Sequence, residues 1–274
     1  MGKRGDDVSR DFGRLAPEGV TIAIPNWNHE LFLPRSIRSA LRAARDLRRH
    51  EVPVEVLVLD DASRDGSVTL LRQLEALYYE EGLRVLALEQ NVGVAAVRNL
   101  ALRLSPWRYV AFLDADNELV SENLHHFYRG IRETGAAVVY GNVFFLTGDS
   151  AHTSLLSNES IQPRMFDGNY IDACALCDRQ QLIDCGAFHT DRDSPIVEDW
   201  ELWLHLLASG RRMVQIPLAF AMYHELPLSM VKKFTSQIER SYESVARIFN
   251  QSGVRGMRRF NSKHLRYHPD VGWL

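Results

Sequence analysis

Four short apolar runs rich in β-formers, Val20 to Ile24, Val54 to Leu59, Leu83 to Leu88 and Tyr109 to Leu113, alternate with stretches of helical periodicity. The runs are apolar nearly throughout rather than at every second residue, which suits strands covered on both faces. Strand, helix and strand in succession imply right-handed crossovers, and hence a mostly parallel sheet with helices on both faces. Ligands of such sheets bind beyond the carboxyl ends of the strands. Polar groups stop the runs at those ends: Asn26 to Asn28 after the first, Asp60 and Asp61 after the second, and Asp114 and Asp116 after the fourth. The sequence therefore predicts that these groups share one edge.

Between the runs, a first helix begins near Pro34 and runs towards His50, with Ile37, Leu41, Ala44 and Leu47 on its apolar stripe. Arg35, Arg38, Arg42, Arg45 and Arg49 recur on another face, either as a solvated stripe or as a contact for lipid or an anionic acceptor. A second helix carries Val68, Leu71, Leu74 and Leu77, and a third spans Val92 to Leu104 with Asn91 as its cap. Beyond the fourth strand the pattern predicts a helix from Ser121 to Arg132, a strand from Ala137 to Leu146 bulged at Gly141, and a short strand from Ile171 to Leu176. A helix to Cys185, a helix from Val197 to Leu207, extended segments from Arg212 to Tyr223 broken by Pro217, and a helix from Lys232 to Gln251 follow. Thr147 to Gly168 fits no element, as expected of a functional loop.

With 46% hydrophobic and 24% charged residues the chain is globular, and a net charge of −3 provides no field for nucleic acid. Three cysteines, an odd number, and no apolar leader indicate a reducing compartment and a cytoplasmic location. No run is long enough to span a bilayer, so membrane contact would be peripheral, through a basic tail of Arg255, Arg258, Arg259, Lys263 and Arg266 with Trp273.

Asp114 and Asp116 lie two apart and would point to the same side of an extended chain. Two converging carboxylates repel unless a cation joins them, and Mn²⁺ or Mg²⁺ suits such ligands; a solvated Asp-rich turn is the alternative. Asp60 and Asp61 could cap a turn or accept the imide N–H of uracil. Glu198 and Asp199 open an apolar helix, as capping residues or as a held general base. Gly93 stands alone, so neither a dinucleotide fingerprint nor a P-loop is present. Cys174-x-x-Cys177, Cys185 and His189 have spacing that permits zinc, but the intervening residues read as strand and helix, and small buried cysteines are the stronger explanation.

Together these pieces resemble the family 2 glycosyltransferases of the GT-A fold, from Val20 to about Met230. Thr21-Ile-Ala-Ile-Pro-Asn-Trp-Asn28 is similar to the family's opening strand and loop, and Val56-Leu-Val-Leu-Asp-Asp-Ala-Ser-Arg-Asp-Gly-Ser67 to its second strand and turn. Asn91-Val-Gly-Val-Ala-Ala-Val-Arg-Asn99 resembles its nucleotide-pocket segment, Phe112-Leu-Asp-Ala-Asp116 its Asp-x-Asp, and Val197-Glu-Asp-Trp-Glu-Leu202 its base-bearing segment. Five motifs in order are far more specific than any one. The resemblance implies a Rossmann-like sheet with a nucleotide-sugar-binding half over residues 20–116 and a mixed acceptor-binding half over residues 117–230. A loose tail, residues 1–19, precedes them, and a C-terminal helix and basic tail, residues 231–274, follow.

It further implies inverting transfer from a nucleotide sugar, most often UDP-linked, to a glycan or lipid-linked acceptor in cell-surface polysaccharide or glycan synthesis. Pro25, Trp27, Asn28, Asp60, Asp61, Asn91, Gly93 and Arg98 would line the nucleotide site, Trp27 stacking on the base and Asp61 reading it. Asp114 and Asp116 would hold Mn²⁺ or Mg²⁺, and Asp199, beside Glu198, would be the base. Asn26-Trp27 replace the more usual Thr or Ser and Tyr, and Cys185 replaces a Gly. His224 stands where the family has Arg, as a metal or diphosphate contact or as an unrelated packed histidine. A chain of this fold that binds nucleotide sugars or a partner without catalysis is the alternative. A sugar nucleotidyltransferase would want a Gly-rich basic loop where this chain has Pro-Asn-Trp-Asn.

Overall fold

A computed structural model describes residues 16–146, 153–161, 165, 168–190 and 198–225, with the strand pairing of residues 267–268 and 272–273. The first half alternates β1 (Val20–Asn26), α1 (Leu33–Arg49), β2 (Val54–Asp60), α2 (Ser67–Tyr78), β3 (Leu83–Ala87), α3 (Val94–Leu104) and β4 (Tyr109–Phe112). The second half contains β5 (Glu118–Leu119), α4 (Leu124–Thr134), β6 (Val138–Leu146), β7 (Thr153–Leu156), β8 (Leu176–Asp178), α5 (Arg179–Asp184), α6 (Glu198–Ala208) and β9 (Met213–His224). A separate antiparallel pair joins β10 (Tyr267–His268) to β11 (Gly272–Trp273). The helix expected over Lys232 to Gln251 lies outside the described residues.

The main sheet has the order β3-β2-β1-β4-β8-β6-β9-β5, with β7 added on β6. β1 pairs in parallel with both β2 and β4, and β2 with β3. The parallel half predicted from the apolar runs is therefore present, and β8 attaches the mixed half by antiparallel pairing to β4. Two cores follow from the two covered faces. One packs Ile22, Ile24 and Val56 against Ile37, Leu41, Leu47, Leu71 and Phe127 of α1, α2 and α4. The other packs Ala23, Leu59 and Phe112 against Val97 and Leu102 of α3 and Trp200 and Trp203 of α6. Among the described residues no helix is long and apolar enough to cross a membrane.

Some expected boundaries shift for visible reasons. Asn91 does not cap α3; Gly93, at φ +90°, holds the cap position, while the Asn91 side chain donates to Asp61. The strand expected over Ile171 to Leu176 forms only at Leu176–Asp178, where β4 and β6 offer partners. Pro217 does not break β9, because it falls in an irregularity where the register jumps from Gly141↔Ile216 to Asn142↔Ala219, so no ladder bond needs its missing N–H. The bulge expected at Gly141 is there, and a Cβ at Gly141 would lie 2.4 Å from the Phe127 ring and 2.5 Å from the Leu218 carbonyl. β5 and β7, the latter inside the unassigned Thr147 to Gly168 stretch, have no counterpart in the sequence reading.

Candidate active site

β1 lies between β2 and β4 while the chain runs outward from it in both directions, so a crevice opens at their carboxyl ends. Asn26, buried at the end of β1, donates from Nδ2 to Asp60 Oδ2 at 2.6 Å. Asp60 also accepts from the Ser63 amide at 2.9 Å and the Ser63 hydroxyl at 2.7 Å, which closes the turn after β2. Asn28, at φ +59°, accepts from the Arg64 amide at 2.7 Å, and its own amide donates to Ser63 Oγ at 2.8 Å. Asp60 and Asn28 thus knit the first two loops together. Pro25 sits opposite Leu59 in the ladder, and Trp27, the residue that follows β1, is 46% exposed.

Asp61 performs the same service one loop further on. Its carboxylate accepts from Asn91 Nδ2 at 2.9 Å, from the Val92 amide at 2.7 Å and from the Gly93 amide at 2.8 Å. A carboxylate has roughly four acceptor sites, so about one remains for a ligand donor.

Arg98, in the second turn of α3 and only 4% exposed, is the hub of the site. Its Nη2 donates to Asp114 Oδ1 at 2.8 Å and its Nη1 to Glu198 Oε1 at 2.7 Å, with the guanidinium over the Phe188 ring at 5.6 Å. Neighbouring Asn99 fixes Phe188 by bonds of 2.7 and 2.9 Å to its carbonyl and amide. Burial alone would lower the Arg98 pKa, but Asp114 and Glu198 override it and push it up. The end of β4 and the start of α6 are clamped through this one cation.

The chain does not stay extended after β4. The Asn117 amide donates to the Asp114 carbonyl at 3.0 Å, so Asp114 and Asp116 occupy a turn rather than one face of a strand. Arg35 Nη2 donates to the Asp116 carbonyl at 2.6 Å, and Ser36 Oγ to that of Asp114 at 3.3 Å. Donor atoms of Asp114, Asp172 and Cys174 gather within 4.8 Å of one another. Burial first, and then Asp114, pushes Asp116 up to about 7 and raises Asp172. Burial also raises Glu198, against the pull of Arg98, and it raises Asp199, assisted by Glu198. These carboxylates exceed what Arg98 neutralises, and a hard cation with oxygen ligands fits such a deficit. The Cys174 thiol, pushed well up by burial, stays protonated and is a poor ligand.

Asp199 lies in the first turn of α6, where Glu198 and Glu201 also complement the helix N-terminus. Its Oδ2 accepts from Asn169 at 3.0 Å and its Oδ1 from the Trp200 amide at 2.7 Å. The helix is anchored by buried Trp200 and Trp203, whose indole N–H groups donate to the carbonyls of Met165 and Ile171. His224 ends β9; its amide donates to Asn117 Oδ1 at 3.0 Å and its Nε2 lies 2.9 Å from Glu118 Oε1, so the ring is engaged beside the Asp114–Asp116 turn by a carboxylate. The zinc spacing is not realised: Cys174 packs in one core and Cys177 in the other, and all three cysteines are free.

The predicted nucleotide residues Asp60 and Asn28 thus share one network, Asp61, Asn91 and Gly93 a second, and Arg98, Asp114 and Glu198 a third. Sequence reading missed Asp172, Asn169, Phe188 and Arg35. Arg35 was visible only as one member of the basic stripe, and Asp172 left the signal of a lone charge within an apolar run.

The sheet, with its crevice at the carboxyl edge of the parallel strands, has the GT-A fold of glycosyltransferases such as TarS. The model of glycosyl transferase family 2 matches residues 21–189, and the chain belongs to that family. It is 28% identical over 202 residues, 70% of this chain and 73% of the relative, to the putative teichuronic acid biosynthesis glycosyltransferase TuaG of Bacillus subtilis. It is 24% identical over 196 residues, 70% of this chain and 72% of the relative, to the UDP-Glc:alpha-D-GlcNAc-diphosphoundecaprenol beta-1,3-glucosyltransferase WfaP of Escherichia coli. In fold it matches S. aureus TarS 1-349 in complex with UDP-GlcNAc, with TM-score 0.64 and 17% identity over 90% of this chain and 69% of that one. It also matches the mannosyltransferase PcManGT from Pyrobaculum calidifontis in complex with GDP-Man and Mn²⁺, with TM-score 0.62 and 17% identity over 90% of this chain and 68% of that one.

Proposed function

We propose that this glycosyltransferase is a metal-dependent, inverting enzyme that moves a sugar from a nucleotide sugar, UDP-linked by preference, to a glycan or lipid-linked acceptor hydroxyl in cell-surface polysaccharide assembly. The observation that carries the reading is the Arg98 clamp, which sets Asp114 and Glu198, and with them Asp116 and Asp199, around one crevice. UDP-linked donors and a lipid-linked acceptor are named for relatives or neighbours, and Mn²⁺ accompanies the donor of one neighbour.

In this reading Trp27 stacks on the base, and the remaining acceptor site of Asp61 takes its imide N–H. Pro25, Asn28, Asp60, Asn91 and Gly93 shape the walls. Asp114 and Asp116, with Asp172 beside them, would hold Mn²⁺ or Mg²⁺, which would supply neutralisation of the charge growing on the leaving diphosphate. His224, paired with Glu118, borders this site. Asp199, made more basic by burial and by Glu198, accepts the proton of the acceptor hydroxyl. As that oxygen bonds to the anomeric carbon from the face opposite the diphosphate, the bond to the diphosphate breaks and the configuration inverts. Arg98 positions Asp114 and Glu198 throughout.

Asp199→Asn tests the base. It should lower kcat by about 10²- to 10⁴-fold with nucleotide-sugar affinity retained, measured by turnover and by calorimetry. Undiminished turnover removes Asp199 from that role. Asp116→Ala should instead abolish the Mn²⁺-dependent part of nucleotide binding, and unchanged binding would overturn the metal assignment.

A further inference from the structure

A second cluster of metal-ligating side chains lies away from the acidic crevice, where the last turn of α1 meets the first turn of α4. Asp46 and His50 are one helical turn apart, the spacing that puts two side chains on one face. Opposite them stands His125, the second residue of α4. One donor atom from each of Asp46, His50 and His125 lies within 4.8 Å of the others. Asp46 Oδ2 is 3.0 Å from His125 Nδ1, and the His50 and His125 rings stack at 4.1 Å. His126 lies against His125 in turn, at 3.8 Å.

We propose that Asp46, His50 and His125 bind a first-row transition ion of the Zn²⁺ class, independently of the proposed cation site of the crevice. Imidazole with carboxylate selects such ions over Mg²⁺. Ligand bonds of about 2.0–2.1 Å place tetrahedral donors about 3.3 Å apart. Asp46 and His125 already satisfy that separation. His50 must tilt out of the stack to bring its nitrogen in, and it is exposed and ends its helix, so the rotation is open to it. Two nearby arginines pair with other carboxylates, Arg45 with Glu81 and Arg129 with Glu133. Water completes the shell. The ion clips α4 to α1, whose other end holds the Asp114–Asp116 turn through Arg35 and Ser36.

The test is calorimetric titration of ZnCl₂ and, separately, MgCl₂ into the full chain, stripped of metal and free of any affinity tag. An Asp114→Asn/Asp116→Asn background silences the crevice. One equivalent of Zn²⁺, and none of Mg²⁺, should bind this background. His50→Gln and His125→Gln should each weaken that binding by roughly ten- to hundredfold, and both should bleach the visible ligand-field bands of bound Co²⁺. His50→Gln, at an exposed position, should leave the metal-free melting temperature unchanged, so it decides the matter even if His125→Gln unfolds the chain. Absence of Zn²⁺ binding in the background, or binding that His50→Gln leaves intact, overturns the proposal. Loss of Mn²⁺-dependent nucleotide binding in the same background reports on the crevice alone.

Discussion

The two sides of the crevice use aspartate in opposite ways. On the side of β1 to α3, Asp60 and Asp61 each accept three hydrogen bonds, from donors of Asn26, Ser63, Asn91, Val92 and Gly93, and each ties one loop to another. Across the crevice, Asp114, Asp116, Asp172, Glu198 and Asp199 crowd together, sharing chiefly Arg98, and burial and mutual repulsion raise the proton affinity of Asp116, Asp172, Glu198 and Asp199. The first arrangement fixes a shape; the second leaves a charge deficit, which the cation of the proposed reading would relieve. Identical side chains thus serve as scaffold or stand as proton-retaining groups according to how many donors surround them.

Arg98→Ala should break the contrast most severely. It strands Asp114 and Glu198, and loss of one partner from a buried pair costs about 3–5 kcal/mol, to be read as a drop in denaturant midpoint with Mn²⁺ absent. Asp61→Asn should cost about 1.5–3 kcal/mol, the range for hydrogen bonds to a charged group, because the amide cannot accept from Asn91, Val92 and Gly93 together. The same exchange at Asp172 should have the opposite sign. Without divalent cations Asp172→Asn should raise Tm by a few degrees, the shift that about 1 kcal/mol produces in a domain of this size, since it removes one repelling charge while its amide oxygen can still accept from Cys174. Destabilisation by Asp172→Asn equal to that of Asp61→Asn would show the two sides to be built alike.

How much of this could be read from the chain depended on range. The parallel half was legible because each strand is a local apolar run and each strand end a local polar stop. Asp61 and Arg98 could be singled out by motif, yet the partners that give them their roles, Asn91 and Glu198, lie 30 and 100 residues away. The mixed half was less legible. β8 is short because its partners β4 and β6 decide where it forms, and Pro217 reads as a breaker until the bulge that accommodates it is seen. The expectation of an extended Asp114-Ala-Asp116 failed because the Asn117 amide closes a turn there, a bond that no alternation pattern encodes.

The irregularity opposite Gly141 also acts as a phase shifter. Between Gly141↔Ile216 and Val143↔Ala221, β9 spends more residues than β6, and the offset between partners changes by an odd number, so inward and outward positions exchange along the remainder of the strand. His224 reaches Glu118 because of that exchange. Deleting Leu218 alone would restore the other phase and, with the register before the irregularity kept, bring Glu225 into the place that His224 now occupies. A length change of one residue, remote from the crevice and altering no residue in it, would therefore rewrite the charge at its rim.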